Sequence, residues 1–600
     1  MAGDQSPESR VLEFVDQLKA RLKEDDRGPQ WIRRCEDLLN EINQVLNPST
    51  ASGVELLDIA GGCDLLKVEV QYVGISQVCE TSVSSLIANI AGTCDPREMF
   101  TVFFEAINLY TKPGTLHLCI PLLRGLSIVF RRIRRRQAEF FKEAIPGLLD
   151  VGKAALNDKE DAVESGEELS EMKDVSRNSI TENVPSKLVD ELVNLGKAMR
   201  DVLSCEENQR LRDVIIIYIL RLLALVSCSD ITIDGVIPQH VEDIIKLMYG
   251  INFYLKEILT TRQLEEIIDR YADENENNMR STRFEVRRGA ALAVFWGIHD
   301  KDSPTSASVF DLMRSQIENS GLQSACAIVN LASVLLVPSG WKEELLIQQK
   351  GLALITSSVE LFKAVSSTIS PVLRDAVSLQ ILPALKRIEG LIVRTTNSAL
   401  RKEAYGVLLK IIKELLPAQE RYQALYYTIS NCDHPSLVSL LLTCVKDEVA
   451  KAWPYREMQT ETLGNLPLGS AEMQVDNISS PFVSSEVLKF IQCVLRGKDG
   501  NPTELPSNTD AVIGALNLYR FLLIRESSGK TNYTHVLFHE ELVKGRTYWL
   551  LPLREQALRI RSALEEAGSG EEIMLGMNCL LSVLYRCLEI VEQVQKELSS

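Results

Sequence analysis

Four groupings of residues in this chain have types and spacings that could do chemistry. The first is "SSGKT", Ser527–Thr531, which ends like a phosphate-binding loop. Such a loop wraps a phosphate in backbone amides and needs a glycine five residues before Gly529. That position is Ile524, so the stretch reads as a plain turn. The second is "THVLFHEELV", where His535 and His539 stand four apart, the spacing of one helix face, and Glu540 follows. An HExxH zinc motif beginning at His539 would require histidine at 543, where the chain has Val543. Metals need three or four ligands, and no others are evident, so a surface histidine pair is the plainer reading. The third is the basic run "FRRIRRR", Phe130–Arg136, which could serve nuclear import or bind phosphate. Against that, Val129, Ile133 and Phe140 would bury one face of a helix here and leave the arginines on its solvated faces. The fourth is the set of 13 cysteines, scattered from Cys35 to Cys587 with no CxxC or Cys/His ligand spacing. They suit small apolar core positions in a reduced compartment. With no GxSxG elbow, paired-glycine fingerprint or kinase motif set either, the chain is not expected to be an enzyme, and no cofactor or metal is expected.

What must position these residues is set by size and pattern. A chain of 600 residues is too long for one core and must form several domains or an array of repeating units. Its 45% hydrophobic residues can bury a large interior. A net charge of −17 opposes non-specific binding to nucleic acid or anionic membranes. The expected partners are therefore proteins, and the chain is expected to be a monomer. The run "VIIIYILRLLALV", Val214–Val226, is interrupted by Arg221 and falls short of the roughly 20 residues of a membrane span. It predicts a buried helix. The opening "MAGDQSPESR" has neither the basic start nor the apolar stretch of a secretory signal, so nucleus and cytoplasm are the expected locations.

Nearly every ordered stretch shows the helical period, and strictly alternating segments are rare. Leu122, Leu126, Val129, Ile133, Gln137, Phe140 and Ala144 follow steps of three and four and predict one helix. Leu400, Ala404, Leu408, Ile411 and Leu415 do the same, with Pro417 as a stop. In "HPSLVSLLLTCVKDEV", Asp433 or His434 can cap and Pro435 can occupy the first turn. Short helix pairs repeated over hundreds of residues predict an all-α fold, an α-solenoid of degenerate HEAT- or armadillo-like pairs. Helical repeats are expected over 1–156, 187–454 and 481–600. An acidic mobile linker is expected at 157–186 and a polar loop at 455–480.

One predicted helix, "TDAVIGALNLYRFLLIRE" (Thr509–Glu526), carries two stripes. Val512, Leu516, Tyr519 and Leu523 form an apolar stripe suited to the solenoid core. Ile513, Asn517, Arg520 and Ile524 form a mixed stripe, which either bonds neighbouring repeats or faces a partner. Arginine suits a partner surface, because its planar fork donates several hydrogen bonds while its stem packs on apolar groups.

The stretch "LRKEAYGVLLKIIKELLPAQERYQALYYTISNCDHPSLVSLLLTCVKDEV", Leu400–Val449, resembles the glomulin family in its helix lengths, its opening "LRK" and the break at Asn431 and His434. The likeness resumes at "PFVSSEVLKFIQCVLRGKDGNPTELPSNTDAVIGALNLYRFLLI", Pro481–Ile524, and "CDPREMF", Cys94–Phe100, resembles another family stretch. The chain is most similar to the plant branch of that family. The resemblance implies a helical-repeat inhibitor of cullin-RING ubiquitin ligases whose C-terminal repeats bind the RING domain of the RING-box subunit. That contact would block docking of the ubiquitin-conjugating enzyme; in plants the role implied is lateral root initiation and hormone signalling. On this reading Ile513, Asn517, Arg520 and Ile524 are candidate RING contacts. His539, Arg546, Tyr548, Trp549, Arg554 and Arg561 join them, being types that dominate binding energy at interfaces. The competing reading is a general scaffold or adaptor that binds peptide segments of other proteins. An adaptor groove would carry a ladder of Asn and Trp, and tryptophans at 31, 296, 341, 453 and 549 are too few and too irregular for one.

Overall fold

The computed structural model describes residues 6–25, 27–61, 64–112, 114–164, 184–203, 209–227, 238–259, 262–271, 276–299, 304–338, 344–365, 381–463, 480–496, 501–567 and 570–599. Among these the regular elements are all helical, and the only β pairing is an isolated bridge between Arg496 and Pro502. The fold is an all-α solenoid, and it divides into two compact units, residues 1–316 with 331–354 and residues 317–330 with 355–600.

The first unit runs through α1 (Pro7–Leu22), α2 (Pro29–Val45), α3 (Ala51–Gly61), α4 (Leu65–Glu69), α5 (Gln77–Thr93), α6 (Pro96–Tyr110), α7 (Cys119–Arg132), α8 (Gln137–Glu164), α9 (Val184–Leu203), α10 (Gln209–Val226), α11 (Gln239–Gly250), α12 (Leu255–Leu259), α13 (Arg262–Tyr271) and α14 (Glu276–His299). Polar contacts show how these stack. Ser76 donates to Glu36 at 2.6 Å and Ser82 to Asn40 at 2.9 Å, joining α2 to α5. Arg124 meets Glu191 at 2.6 Å and Arg131 meets Asp201 at 3.4 Å, joining α7 to α9. In each pair residue numbers rise together on both helices, so same-layer neighbours are parallel, as a solenoid of helix pairs requires. A second layer contains α10 and α14, joined by Arg221 with Glu285 at 2.7 Å and by Trp296 donating to Ser227 at 3.2 Å. Gly289 allows this approach, because a Cβ there would lie 1.8 Å from the Leu220 carbonyl oxygen. Thus Arg221, the charge interrupting the greasy run, is an interhelical tie inside a buried helix.

Two expectations of this unit need correction or limits. The periodic residues from Leu122 to Ala144 do not form one helix. Helix α7 stops at Arg132, Ile133 is extended (φ −64°, ψ 123°) and Arg136 is left-handed (φ 59°). The cause is tertiary. The Arg132 guanidinium donates to the carbonyls of Ala91, Thr93 and Cys94 at 2.6, 3.2 and 2.7 Å, capping the end of α5. Ile133 is buried and Gln137 donates back to its carbonyl at 2.8 Å. The expected linker at 157–186 begins inside α8, which continues to Glu164, and ends inside α9; residues 165–183 lie outside the described residues.

Helices α15 (Pro304–Ser333) and α16 (Glu344–Val365) are shared between the units, and α15 is kinked at Gly321 (φ 56°, ψ −134°). The second unit continues with α17 (Leu382–Arg394), α18 (Ser398–Lys410), α19 (Ala418–Asn431), α20 (Pro435–Leu463), α21 (Leu488–Leu495), α22 (Thr509–Gly529), α23 (His539–Lys544), α24 (Leu551–Ala567) and α25 (Glu571–Ser599). Pro435 opens α20 as its capping pattern predicts. The polar loop expected at 455–480 is helical to Leu463, and residues 464–479 lie outside the described residues.

Here too one layer is a row of parallel helices. Lys410 pairs with Glu360 at 2.8 Å, linking α18 to the end of α16, and Tyr405 donates to the Leu440 carbonyl at 3.4 Å, linking α18 to α20. Ser436 donates to Asp510 at 2.6 Å at the start of both α20 and α22, and Cys587 meets the Leu516 carbonyl at 3.6 Å, placing α25 beside α22. Two helical stretches, Asp311–Leu336 and Glu571–Glu597, are long and apolar enough to cross a bilayer by length and composition. The first is 67% buried; the second packs Met577, Leu580, Leu584 and Cys587 inward and is 33% buried.

Candidate protein-binding face

Helix α22 is the middle of the row α20, α22, α25, and its two stripes separate as their chemistry demands. Val512, Leu516, Tyr519 and Leu523 are all 0% exposed and fill the core. On the other stripe Asn517 and Ile524 are exposed, while Ile513 and Arg520 are half-buried. Among the described residues the Arg520 guanidinium has no hydrogen bond or ion pair. It lies near Cys587, whose thiol burial pushes up to about 12 while the arginine's charge opposes that rise. A guanidinium held on a packed stem with its donors uncommitted can serve an incoming acceptor at little ordering cost.

The stripe continues onto the neighbouring helix. A Cβ on Gly514 would lie 3.0 Å from the Ser439 Cα, so α20 and α22 approach closely, and the outward positions of α20 are Ser436, Leu440, Thr443 and Asp447. Leu440 is 47% exposed. Reading along one helix missed it. The signal was its place at the outward spacing of three and four on the preceding repeat. Together Leu440, Ile513, Asn517, Arg520 and Ile524 make a shallow surface of apolar anchors with a few donors, the composition of a protein interface core.

The remaining candidates lie off this stripe. His539 is exposed at the first residue of α23, and Tyr548 is exposed on the π-helical turn Gly545–Leu550, with the Arg496 guanidinium 5.7 Å from its ring centroid. Arg546 is tied to Glu592 at 3.0 Å and Gln595 at 3.5 Å on α25. Arg561 pairs with Glu565 at 3.4 Å on α24, where Arg554 is half-buried. Trp549 is not a surface residue. It is 1% exposed and packs edge-on against Tyr519 with ring centroids 5.6 Å apart. The π-helical turn rotates Trp549 inward, and Gly545 makes room, since a Cβ there would lie 2.5 Å from the Tyr519 hydroxyl. Its aromatic bulk is spent on the core.

The motifs weighed for other chemistry resolve structurally. "SSGKT" ends α22, with Lys530 as a left-handed cap (φ 50°). Beneath it Glu526, fully buried, accepts from the Thr534 amide and hydroxyl, both at 2.7 Å, and from the Thr531 hydroxyl at 2.5 Å. That bonding locks the following turn. His535 does not share a helix face with His539: it sits in the turn before α23 with φ 62°. Among the described residues no group of three His, Cys, Asp or Glu could hold a metal ion.

Comparison with known proteins gives the following. Residues 340–587 match the model of a family described as "Uncharacterised protein family, YAP/Alf4/glomulin". Aberrant root formation protein 4 of Arabidopsis thaliana is 26% identical over 99% of this chain and 90% of its own length. Among solved structures, a circular tandem repeat protein is 13% identical over 99% of both chains with a TM-score of 0.28. Importin beta is 11% identical over 99% of this chain and 87% of its own, with a TM-score of 0.17. At those TM-scores neither structure carries an argument about this chain. The sequence matches bear out the resemblance read from Leu400–Val449 and Pro481–Ile524: residues 340–587 are similar to the YAP/Alf4/glomulin family, and the relative that is similar over nearly the whole chain is a plant protein.

Proposed function

We propose that this protein is a non-catalytic regulator of cullin-RING ubiquitin ligases, acting in nucleus and cytoplasm. Its α20–α22 face binds the RING domain of the RING-box subunit and covers the surface where the ubiquitin-conjugating enzyme docks. Inhibition is by occlusion, and no bond is made or broken by the inhibitor. In a plant it would restrain ligases that act in lateral root initiation and hormone signalling. The observation supporting this reading is the α22 stripe: an uncommitted Arg520 flanked by Asn517, Ile513 and Ile524, inside the segment that matches the family. A RING docking surface offers a shallow apolar groove edged by backbone carbonyls, and such a stripe answers both features.

The test is ubiquitin chain formation by reconstituted neddylated cullin-RING ligase with and without the protein, alongside direct binding to the RING-box subunit. Inhibition is expected, and Arg520→Glu should abolish both binding and inhibition while leaving helical circular dichroism and melting temperature unchanged. Undiminished chain formation at saturating protein with no RING-box binding would refute the proposal. Unfolding of the Arg520→Glu variant would make Arg520 a structural residue and remove it from the interface.

A further inference from the structure

The basic run that the sequence places on one helix leaves α7 after Arg132 and continues as a fixed turn, and this changes what it can do. Arg132 is used up as the cap of α5, and Arg131 pairs with Asp201, which also meets Arg200 at 2.9 Å. Arg134, Arg135 and Arg136 remain. All three are exposed, and among the described residues none of their guanidinium groups has a hydrogen bond or ion pair. The turn that shows them is anchored at both ends. Ile133 is 1% exposed, Gln137 is 7% exposed and bonded to the Ile133 carbonyl, and the Phe140 amide donates to the Arg136 carbonyl at 3.2 Å. Three adjacent like charges held close together repel one another, and in a chain of net charge −17 there is no shortage of carboxylates that could have answered them.

We propose that the turn Arg134–Arg136 is a docking site for an acidic segment of a partner protein, a short strand rich in aspartate, glutamate or phosphoserine. Guanidinium groups bind carboxylate and phosphate through paired donors, and a pre-formed turn loses little freedom on binding. The net charge favours a short peptide over an extended polyanion. A nucleic acid or an anionic bilayer would meet the repulsive field of the whole chain, whereas a strand that touches only the turn works within about 10 Å, the screening length near 0.1 M salt. This site lies in the first unit, outside residues 340–587, and does not depend on the RING-box reading.

The test uses the full chain and a short fluorescein-labelled peptide of aspartate and glutamate, followed by anisotropy at about 50 mM and about 200 mM salt. Saturable binding is expected, weakening about tenfold between the two salt concentrations. The triple substitution Arg134→Glu, Arg135→Glu, Arg136→Glu should weaken binding by at least about tenfold at the lower salt. The triple glutamine variant should fall between, and both should keep the wild-type melting temperature because the turn is held by other residues. No saturable binding at low salt, or binding that the triple glutamate variant leaves unchanged, overturns the proposal. Tighter binding to single-stranded RNA or to phosphatidylserine vesicles than to the peptide overturns the assignment of a peptide partner.

Discussion

Glu69 offers the sharpest test of the physics of the first unit. It ends α4, is 0% exposed, and among the described residues neither carboxylate oxygen has a hydrogen-bond partner. Burial alone pushes its pKa well above the ordinary carboxylate range, so the folded state holds it as a neutral acid. Even neutral, an unpaired buried polar group costs about 1–3 kcal/mol. Replacing it with methionine, of similar length and no polar end, should therefore stabilise the unit by about 2 kcal/mol where the acid is neutral. The pH dependence has a definite sign. Below the ordinary glutamate pKa both folded and unfolded states are protonated and there is no electrostatic penalty. Above it the unfolded chain ionises while the folded one does not, so stability falls by about 1.4 kcal/mol per pH unit until the raised folded value is reached. As the pH rises above the ordinary glutamate range the wild-type opening constant for α1–α5 should thus rise more steeply than that of Glu69→Met. Hydrogen exchange by mass spectrometry on peptides from this region, corrected for intrinsic exchange rates, reads that constant directly. A Glu69→Met protein no more protected than wild type at pH 6, with the same pH slope, would refute the reasoning.

Two pairs of substitutions check the packing. Gly289→Ala would drive a methyl into the Leu220 carbonyl and should cost about 3 kcal/mol or more, seen as a loss of several degrees in the melting transition of the first unit. Gly406→Ala, where an added Cβ meets nothing within 4 Å on helix α18, should instead stabilise the second unit by about 0.5–1 kcal/mol. Trp549→Ala should destabilise by about 3–5 kcal/mol in urea denaturation, against less than about 0.5 kcal/mol for Tyr548→Ala, which is exposed.

The helices were legible in the sequence because each must bury one stripe, and burial at a period of 3.6 leaves a mark whatever lies opposite. The same logic separated Leu516 and Tyr519 from Asn517 and Arg520, and the structure keeps that division. What the pattern could not show was set by groups distant in sequence. Helix α7 stops at Arg132 because the carbonyls of Ala91, Thr93 and Cys94 hold its guanidinium, and periodicity through Ile133 contains no trace of them. Trp549 looked like an interface anchor because the residue types that anchor interfaces also fill cores. Only the π-helical turn and Gly545 decide which role it takes.

The same limit explains why Leu440 escaped a reading that found Asn517. A solenoid face is assembled across helices, in the direction perpendicular to the chain. Its register is fixed by contacts such as Ser436 with Asp510 and Tyr405 with the Leu440 carbonyl, more than thirty residues apart in each case. A stripe along one helix supplies a single column of that face, and the neighbouring columns become visible only when those ties set parallel helices side by side. A partner that spans α20 and α22 must therefore sense both columns, so Leu440→Asp should weaken RING-box binding alongside Arg520→Glu. If Leu440→Asp left binding unchanged while Arg520→Glu abolished it, the contact would be confined to α22, and the two-helix face would be the part of the reasoning to abandon.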